Sequence, residues 1–219
     1  MPSDTPNIIY GGQVDYKSIF YSEENNALTI PVSLIAGYGV LKAGTALAVT
    51  DTAGGNYLKY FPYEPTAKTG AEYAPGRMYL VSDGDGTTTI YLTISDSYKF
   101  IVGDTLDVID ANSSVADLGL VVSIDRTTYS NRAAVVVTNA CTSSYTTAQF
   151  AHVMISGATT CIGILMKSVD TGTGSSAAGA LAAMVLSNAL LYTGMLSCVD
   201  SDARTDLGAS TISQYTKLP

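Results

Sequence analysis

The run IPVSLIAGYGVLKAGTALAV at 30–49 places apolar residues in short stretches broken at Gly37, Gly39 and Gly44. That rhythm predicts short strands joined by tight turns, because glycine enters positive φ without steric cost. The run GGNYLKYFPYEP carries a third strand on Tyr57, Tyr60 and Tyr63 to a proline stop, and PTAKTGAEYAP at 65–75 forms a Pro/Gly/Ala linker. Beyond Gly76 the pattern becomes β-branched and alternating. RMYLVSD, TTTIYLTIS, LDVID, LGLVVSID and RAAVVVTN predict about five strands within 77–139, separated by the turns DGDG, KFIVGD, NSSVAD and TYSN. So many short strands in so short a stretch predict a small barrel or sandwich.

A second apolar phrase, CIGILMKSVDTG at 161–172, leads from Gly163-Ile164-Leu165 through Val169-Asp170 into a Gly/Ser loop. The pattern of 176–196 leaves two readings open. Ala, Leu and Met favour helix there, and strict alternation is missing. Next, SDARTDLGAS predicts a short helix capped by Ser201 or Asp202, with Leu207 inward and Gly208 near its end. Residues 1–28 show little periodicity, yet carry Ile8, Ile9, Tyr10, Ile19, Phe20 and Tyr21 among polar neighbours. Either a partner orders such an arm or it packs as an edge strand on its own domain.

The order and spacing of Leu41, Ala43, Gly44, Thr45, Leu47 and Ala48, then Tyr57 and Tyr60, then Gly163, Ile164, Leu165, Val169, Asp170, Thr171 and Gly172 resemble the head-decoration proteins of tailed bacteriophages. This is the family of phage lambda's protein D, and the resemblance covers residues 30–64 and 158–213. It implies a mostly β fold with four parts. An N-terminal capsid-binding arm occupies 1–28, and a β-tulip domain is formed in two halves by 29–75 and 151–219. A small β-barrel or sandwich at 76–150 splits that domain, and one short helix follows near the C-terminus. Within 176–196 the resemblance implies strand, a turn near Ser187-Asn188, and strand. It assigns Gly44, Leu47, Tyr60, Gly163, Ile164, Leu165 and Asp170 to packing and Ile8, Ile9, Tyr10, Ile19, Phe20 and Tyr21 to capsid contact. The implied function is that of a structural virion protein, without enzyme activity or cofactor. It would be made in the host cytoplasm, assemble as a homotrimer, and bind the major capsid protein on the outer surface of the expanded shell. The 76–150 insertion departs from the lambda protein, which has none of this length. Its VGDTLDVID and GLVVSID segments resemble an SH3-like small barrel.

Composition sharpens this picture. Across 219 residues the hydrophobic content is 47% and only 14% of residues are charged. Soluble domains typically carry about 25% charged residues, so this surface is one suited to assembly. The net charge is −8 with no Lys/Arg cluster, which argues against nucleic acid or an anionic membrane surface as partner. Cys141, Cys161 and Cys198 are odd in number and lack C-x-x-C spacing, and are expected to be buried free thiols suited to a reducing compartment. The segment MPSDTPNIIYGG has no basic n-region and no apolar core of signal-peptide length. The uncharged stretch ALAAMVLSNALLYTGML at 180–196 is interrupted by Ser187, Asn188 and Gly194, which favours buried structure over a membrane span.

Catalytic and metal motifs are thin. Asp170-Thr171-Gly172 matches the aspartic-protease tripeptide, but those enzymes need two such carboxylates and no second copy exists, so a strand-ending turn is expected. His152, the only histidine, lies in an apolar run with no nucleophile elbow elsewhere, and is expected to be structural. The GTGSSAAG loop lacks the lysine of a phosphate cradle. Asp83-Gly84-Asp85-Gly86 resembles the start of a calcium loop, but position 94 is Ile where a bidentate Glu is required, so a hairpin turn is expected. Asn112-Ser113-Ser114 is a sequon by letter alone. Fifteen tyrosines and no tryptophan suit an assembled surface, and equally a carbohydrate-binding or adhesin-like module with a glycan held by the inserted domain.

Overall fold

The computed structural model describes residues 19, 28–50, 54–65, 76–112, 114–187, 189–191, 193–209 and 215–216. In chain order the strands are β1 (Leu28–Leu34), β2 (Val40–Leu41), β3 (Ala46–Val49), β4 (Tyr60–Pro62), β5 (Met78–Tyr79), β6 (Thr89–Leu92), β7 (Thr105–Ile109) and β8 (Val115–Asp125). They continue as β9 (Ala133–Val137), β10 (His152–Ile155), β11 (Gly163–Leu165), β12 (Val169–Asp170), β13 (Ala180–Ser187), β14 (Ala189–Leu190) and β15 (Tyr215–Thr216). Helix α1 (Ser201–Ala209) precedes the last of them.

The chain is mostly β, with a barrel split by an insertion and a single short helix among the described residues. Strands β1, β13, β11, β3 and β4 close the first barrel, sealed by the parallel contact of Leu34 with Tyr60. Its strands come from both sides of the insertion: Leu47 pairs with Gly163, Ala46 with Ile164, and β1 runs antiparallel to β13 along its whole length. The small β2–β12 ladder joins Leu41 to Val169 and Val40 to Asp170. The inserted sheet has the order β5-β10-β7-β8-β9-β6 and curls until Leu80 bridges Leu92 and the Val81 amide donates to the Tyr91 carbonyl at 3.0 Å.

Side-chain parity explains why β3 and β11 are apolar without alternation. Leu47, Leu165, Met184, Val32 and Leu34 fill the barrel interior. Ala46, Ala48, Ile164 and Val185 belong instead to a second cluster, shared with Phe61, Tyr63, Leu106, Val108, Val153 and Ile155. Both faces of these strands are therefore buried, one inside the barrel and one beneath the insertion, and such strands read as continuous hydrophobic runs. Alanine at 46 and 48 lets the neighbouring elements approach closely. Gly44 is in the left-handed region at φ 88°, and a Cβ there would collide with the Met195 carbonyl.

Several expectations need correction. β10 pairs with β5 and β7, so the inserted sheet runs to Ile155 and the outer barrel resumes at β11, not at residue 151. Tyr57 sits on an exposed turn; the third strand spans only Tyr60–Pro62. Residues 180–187 form strand, as the resemblance implies and against their helix propensity, because β1 and β11 flank them. The cap of α1 is Asp200, one residue before the expected pair: its carboxylate accepts from the Ala203 amide at 2.8 Å and the Tyr63 hydroxyl at 2.9 Å. Leu207 is buried as expected. Ile19 is also buried in the shared cluster, which removes it from any surface contact set. Ile8, Ile9, Tyr10, Phe20 and Tyr21 lie outside the described residues.

Two predictions follow from this packing. A Cβ at Gly163 would meet Met184 Cγ and Sδ at 2.7 Å and the Val185 carbonyl oxygen at 2.8 Å. Gly163→Ala should therefore cost about 1–3 kcal/mol through overpacking, measured by urea unfolding. Cys141, Cys161 and Cys198 are all buried and unbridged. Burial, and then the Asp206 carboxylate, push the Cys161 thiol above its ordinary range. No thiol should react with a disulfide reagent in the native protein at neutral pH, and all three should react in denaturant.

Candidate interaction surface

Where the two barrels meet, the turn at 54–58 from the outer barrel abuts the 101–104 loop of the insertion. A Cβ on Gly54 would strike the Gly103 carbonyl, and one on Gly55 would strike the Ile101 side chain. Asp104 holds the two loops together. Its buried carboxylate accepts from the Asn56 amide at 2.9 Å, from Asn56 Nδ2 at 2.7 Å and from the Ile101 amide at 2.9 Å. The Gly103 amide in turn donates to Val121 and the Val121 amide to Asp104, which attaches the loop to β8.

This rigid frame presents apolar side chains outward. Leu58 is 58% exposed, Val102 56% and Leu181, across the groove on β13, 82%. Ile101 lines the same groove, and Tyr57 is exposed on the adjoining turn. Leu58 holds φ at 58°, a left-handed conformation that costs a residue with a Cβ roughly 1–2 kcal/mol. The Leu58 amide bond to the Thr50 carbonyl and the Thr50 hydroxyl bond to the Asn56 carbonyl maintain it. Between the barrels runs an open groove of 510 Å³, lined in part by Leu34, Ile35, Lys59, Tyr98, Ile101 and Leu181. Exposed apolar surfaces rimmed by polar residues occur at contact sites for proteins, membranes or ligands.

The residues considered for chemistry lie elsewhere and are engaged by their neighbours. His152 is buried, with Nε2 3.0 Å from Glu64 Oε1, Nδ1 3.1 Å from the Phe150 carbonyl and its ring against Tyr79. Glu64 also pairs with Arg77 Nε at 2.6 Å, so one carboxylate links the segment after β4 to β5 and β10. Asp170 Oδ1 accepts from the Gly172 amide at 2.8 Å, while the Thr171 hydroxyl donates to the Gly39 carbonyl at 2.9 Å: the tripeptide forms a turn. Asp83 and Asp85 bind Thr147 and Thr87 respectively, and those hydrogen bonds hold both carboxyls below their ordinary range. Among the described residues, no group of three or more His, Cys, Asp or Glu is placed to hold a metal ion, and no helix is long and apolar enough to cross a membrane. Of the residues assigned to packing, Leu47, Ile164 and Leu165 are fully buried, Tyr60 is half-buried, and Asp170 is exposed. Sequence reasoning missed the seam, because exposed leucines and valines carry the same letters as core ones.

Removing the Asp104 carboxylate leaves the Asn56 and Ile101 donors without their acceptor. Asp104→Ala should lower stability by about 2 kcal/mol and speed hydrogen exchange at 54–59 and 101–104 before other regions. Comparison with protein-family models, with curated proteins and with solved structures finds no match to this chain.

Proposed function

We propose that this chain is a capsid decoration protein of a tailed bacteriophage, a homotrimer that binds the outer surface of the expanded shell and stabilises it. The observation that carries the reading is the meeting of the two phrases on which the family resemblance rests. Residues 46–49 and 163–165 are neighbouring strands of one barrel, and 40–41 pairs with 169–170, although a whole β-domain intervenes in sequence. The low charge and the apolar seam support assembly over life as a free monomer.

The mechanism is energetic. A protein that binds the mature shell and not its precursor shifts the equilibrium toward the mature form by mass action. Three linked copies engaging adjacent capsid subunits multiply that effect through effective concentration. The geometry suggests a division of labour between two ends of the outer barrel. Strand β1 begins at Leu28, whereas the groove lies beside Leu34 and Leu181, at the other end of the β1–β13 pair. A seven-residue strand spans roughly 20 Å, which separates Leu28 from the groove. The arm end meets the major capsid protein, and the seam meets a neighbouring copy.

Co-sedimentation with empty expanded shells, paired with light scattering, tests both halves. The intact chain should scatter as a trimer and saturate shells in multiples of three. Deleting residues 2–17, which spares Ile19, should abolish shell binding and leave the trimer. Leu58→Ser combined with Leu181→Asp should give a folded monomer with weakened shell binding. A monomeric wild type that ignores shells would overturn the proposal.

A further inference from the structure

The outward face of the inserted sheet carries a cluster that decoration does not use. Across β6, β9 and β8, Tyr91 pairs with Ala134 and Ala134 with Asp125, while Thr89, Val136 and Ser123 form the next row. Paired residues of antiparallel strands project to the same side, so this face is a shallow floor of small and polar groups. Arg132, two positions before Ala134, stands diagonally beside Tyr91. Its guanidinium carbon lies 4.1 Å from the Tyr91 ring centroid and 4.7 Å from that of Tyr129, and the two rings meet edge to face at 5.6 Å.

Stacking fixes the plane of a guanidinium while leaving its N–H groups available. Three other cations are committed among the described residues: Arg126 donates to Ser97, Arg77 pairs with Glu64, and Lys99 pairs with Asp96. Arg132 makes no hydrogen bond or ion pair among the described residues. Asp125, which shares its side of the sheet, is engaged by its own turn. Its Oδ1 accepts from the Thr127 amide at 2.9 Å, the Thr127 hydroxyl at 3.0 Å and the Thr128 amide at 3.1 Å, which pins the loop that carries Tyr129. The result is a pre-oriented fork of donors, without an ion pair among the described residues, on a protein of net charge −8.

We propose that Arg132, Tyr91 and Tyr129 form a binding subsite for the carboxylate-bearing residue of an acidic saccharide. A carboxylate accepts two parallel N–H bonds from a guanidinium edge. The tyrosines supply flat apolar faces for ring C–H groups, and Thr89 and Ser123 supply hydroxyls for the sugar's own. A single guanidinium at this site favours one carboxylate on an otherwise neutral chain of sugars, while the protein's net negative charge repels polyanions such as nucleic acid. This inference is independent of shell binding and survives or fails separately from it.

The test is titration of the full chain with sialyllactose and with lactose, which differ by the acidic residue, followed by calorimetry or NMR shifts. Sialyllactose should bind saturably and lactose about tenfold more weakly or worse. Arg132→Gln and Arg132→Lys should each lose about tenfold or more, the second because a point charge replaces the fork, with unchanged unfolding midpoints. Tyr129→Ser offers a second variant should Arg132→Gln unfold, and should weaken binding likewise. Absence of saturable binding by the wild type, equal affinity for lactose, full affinity in Arg132→Gln, or equally tight binding of inorganic phosphate would each overturn the proposal.

Discussion

The outer barrel can close only because the inserted domain returns the chain to its starting point. Met78 pairs with Val153 and Tyr79 with His152, so the first and last strands of the insertion are hydrogen-bonded neighbours. Without that pairing, joining β3 to β11 would mean closing a loop of more than a hundred residues at the full entropic cost of its length. With it, the outer barrel meets a short, stiff connection. Glu64 reinforces the junction by holding Arg77 and His152, on the two sides of that same pairing.

A shared core makes the two barrels interdependent. Phe61 and Tyr63 belong to the outer barrel's chain, yet they lie in one cluster with Leu106, Val108 and Ile155 of the insertion. Cutting away the inserted domain would expose them, together with the outer faces of Ala46 and Ala48. The insertion is thus a structural part of the barrel it interrupts. Helix α1 covers another flank of the same cluster with Ala203 and Leu207, and the Cys161 amide bond to Asp206 docks it at the start of β11.

Much of this was legible in the sequence where alternation or turn chemistry speaks directly. The strands β6 to β9 were readable from their β-branched period and the Asp/Gly turns between them. The union of the 41–49 and 161–172 phrases was readable as two halves of one domain. β10 was not, since His152–Ile155 is buried at every position and shows no alternation to assign it to one sheet rather than another. Tyr57 reads as a strand residue until the left-handed Leu58 is seen to turn the chain beside it. The Tyr91–Arg132–Tyr129 cluster depends on register across three strands, which no local pattern encodes.

The ladder between β1 and β13 joins residues 28–34 to 180–187, across the whole of the insertion. On the ribosome this ladder has an order in time. The first strands emerge long before their partners exist, and stand with open edges while the insertion is synthesised. The insertion, complete once Ile155 has appeared, can fold in that interval and cover Phe61 and Tyr63. The nascent half-barrel is then shielded on one flank and exposed along β1 and β3, edges on which a neighbouring unfinished chain could pair. Yield during synthesis therefore depends on how quickly residues 163–187 follow the inserted domain, a kinetic demand written into the chain's connectivity.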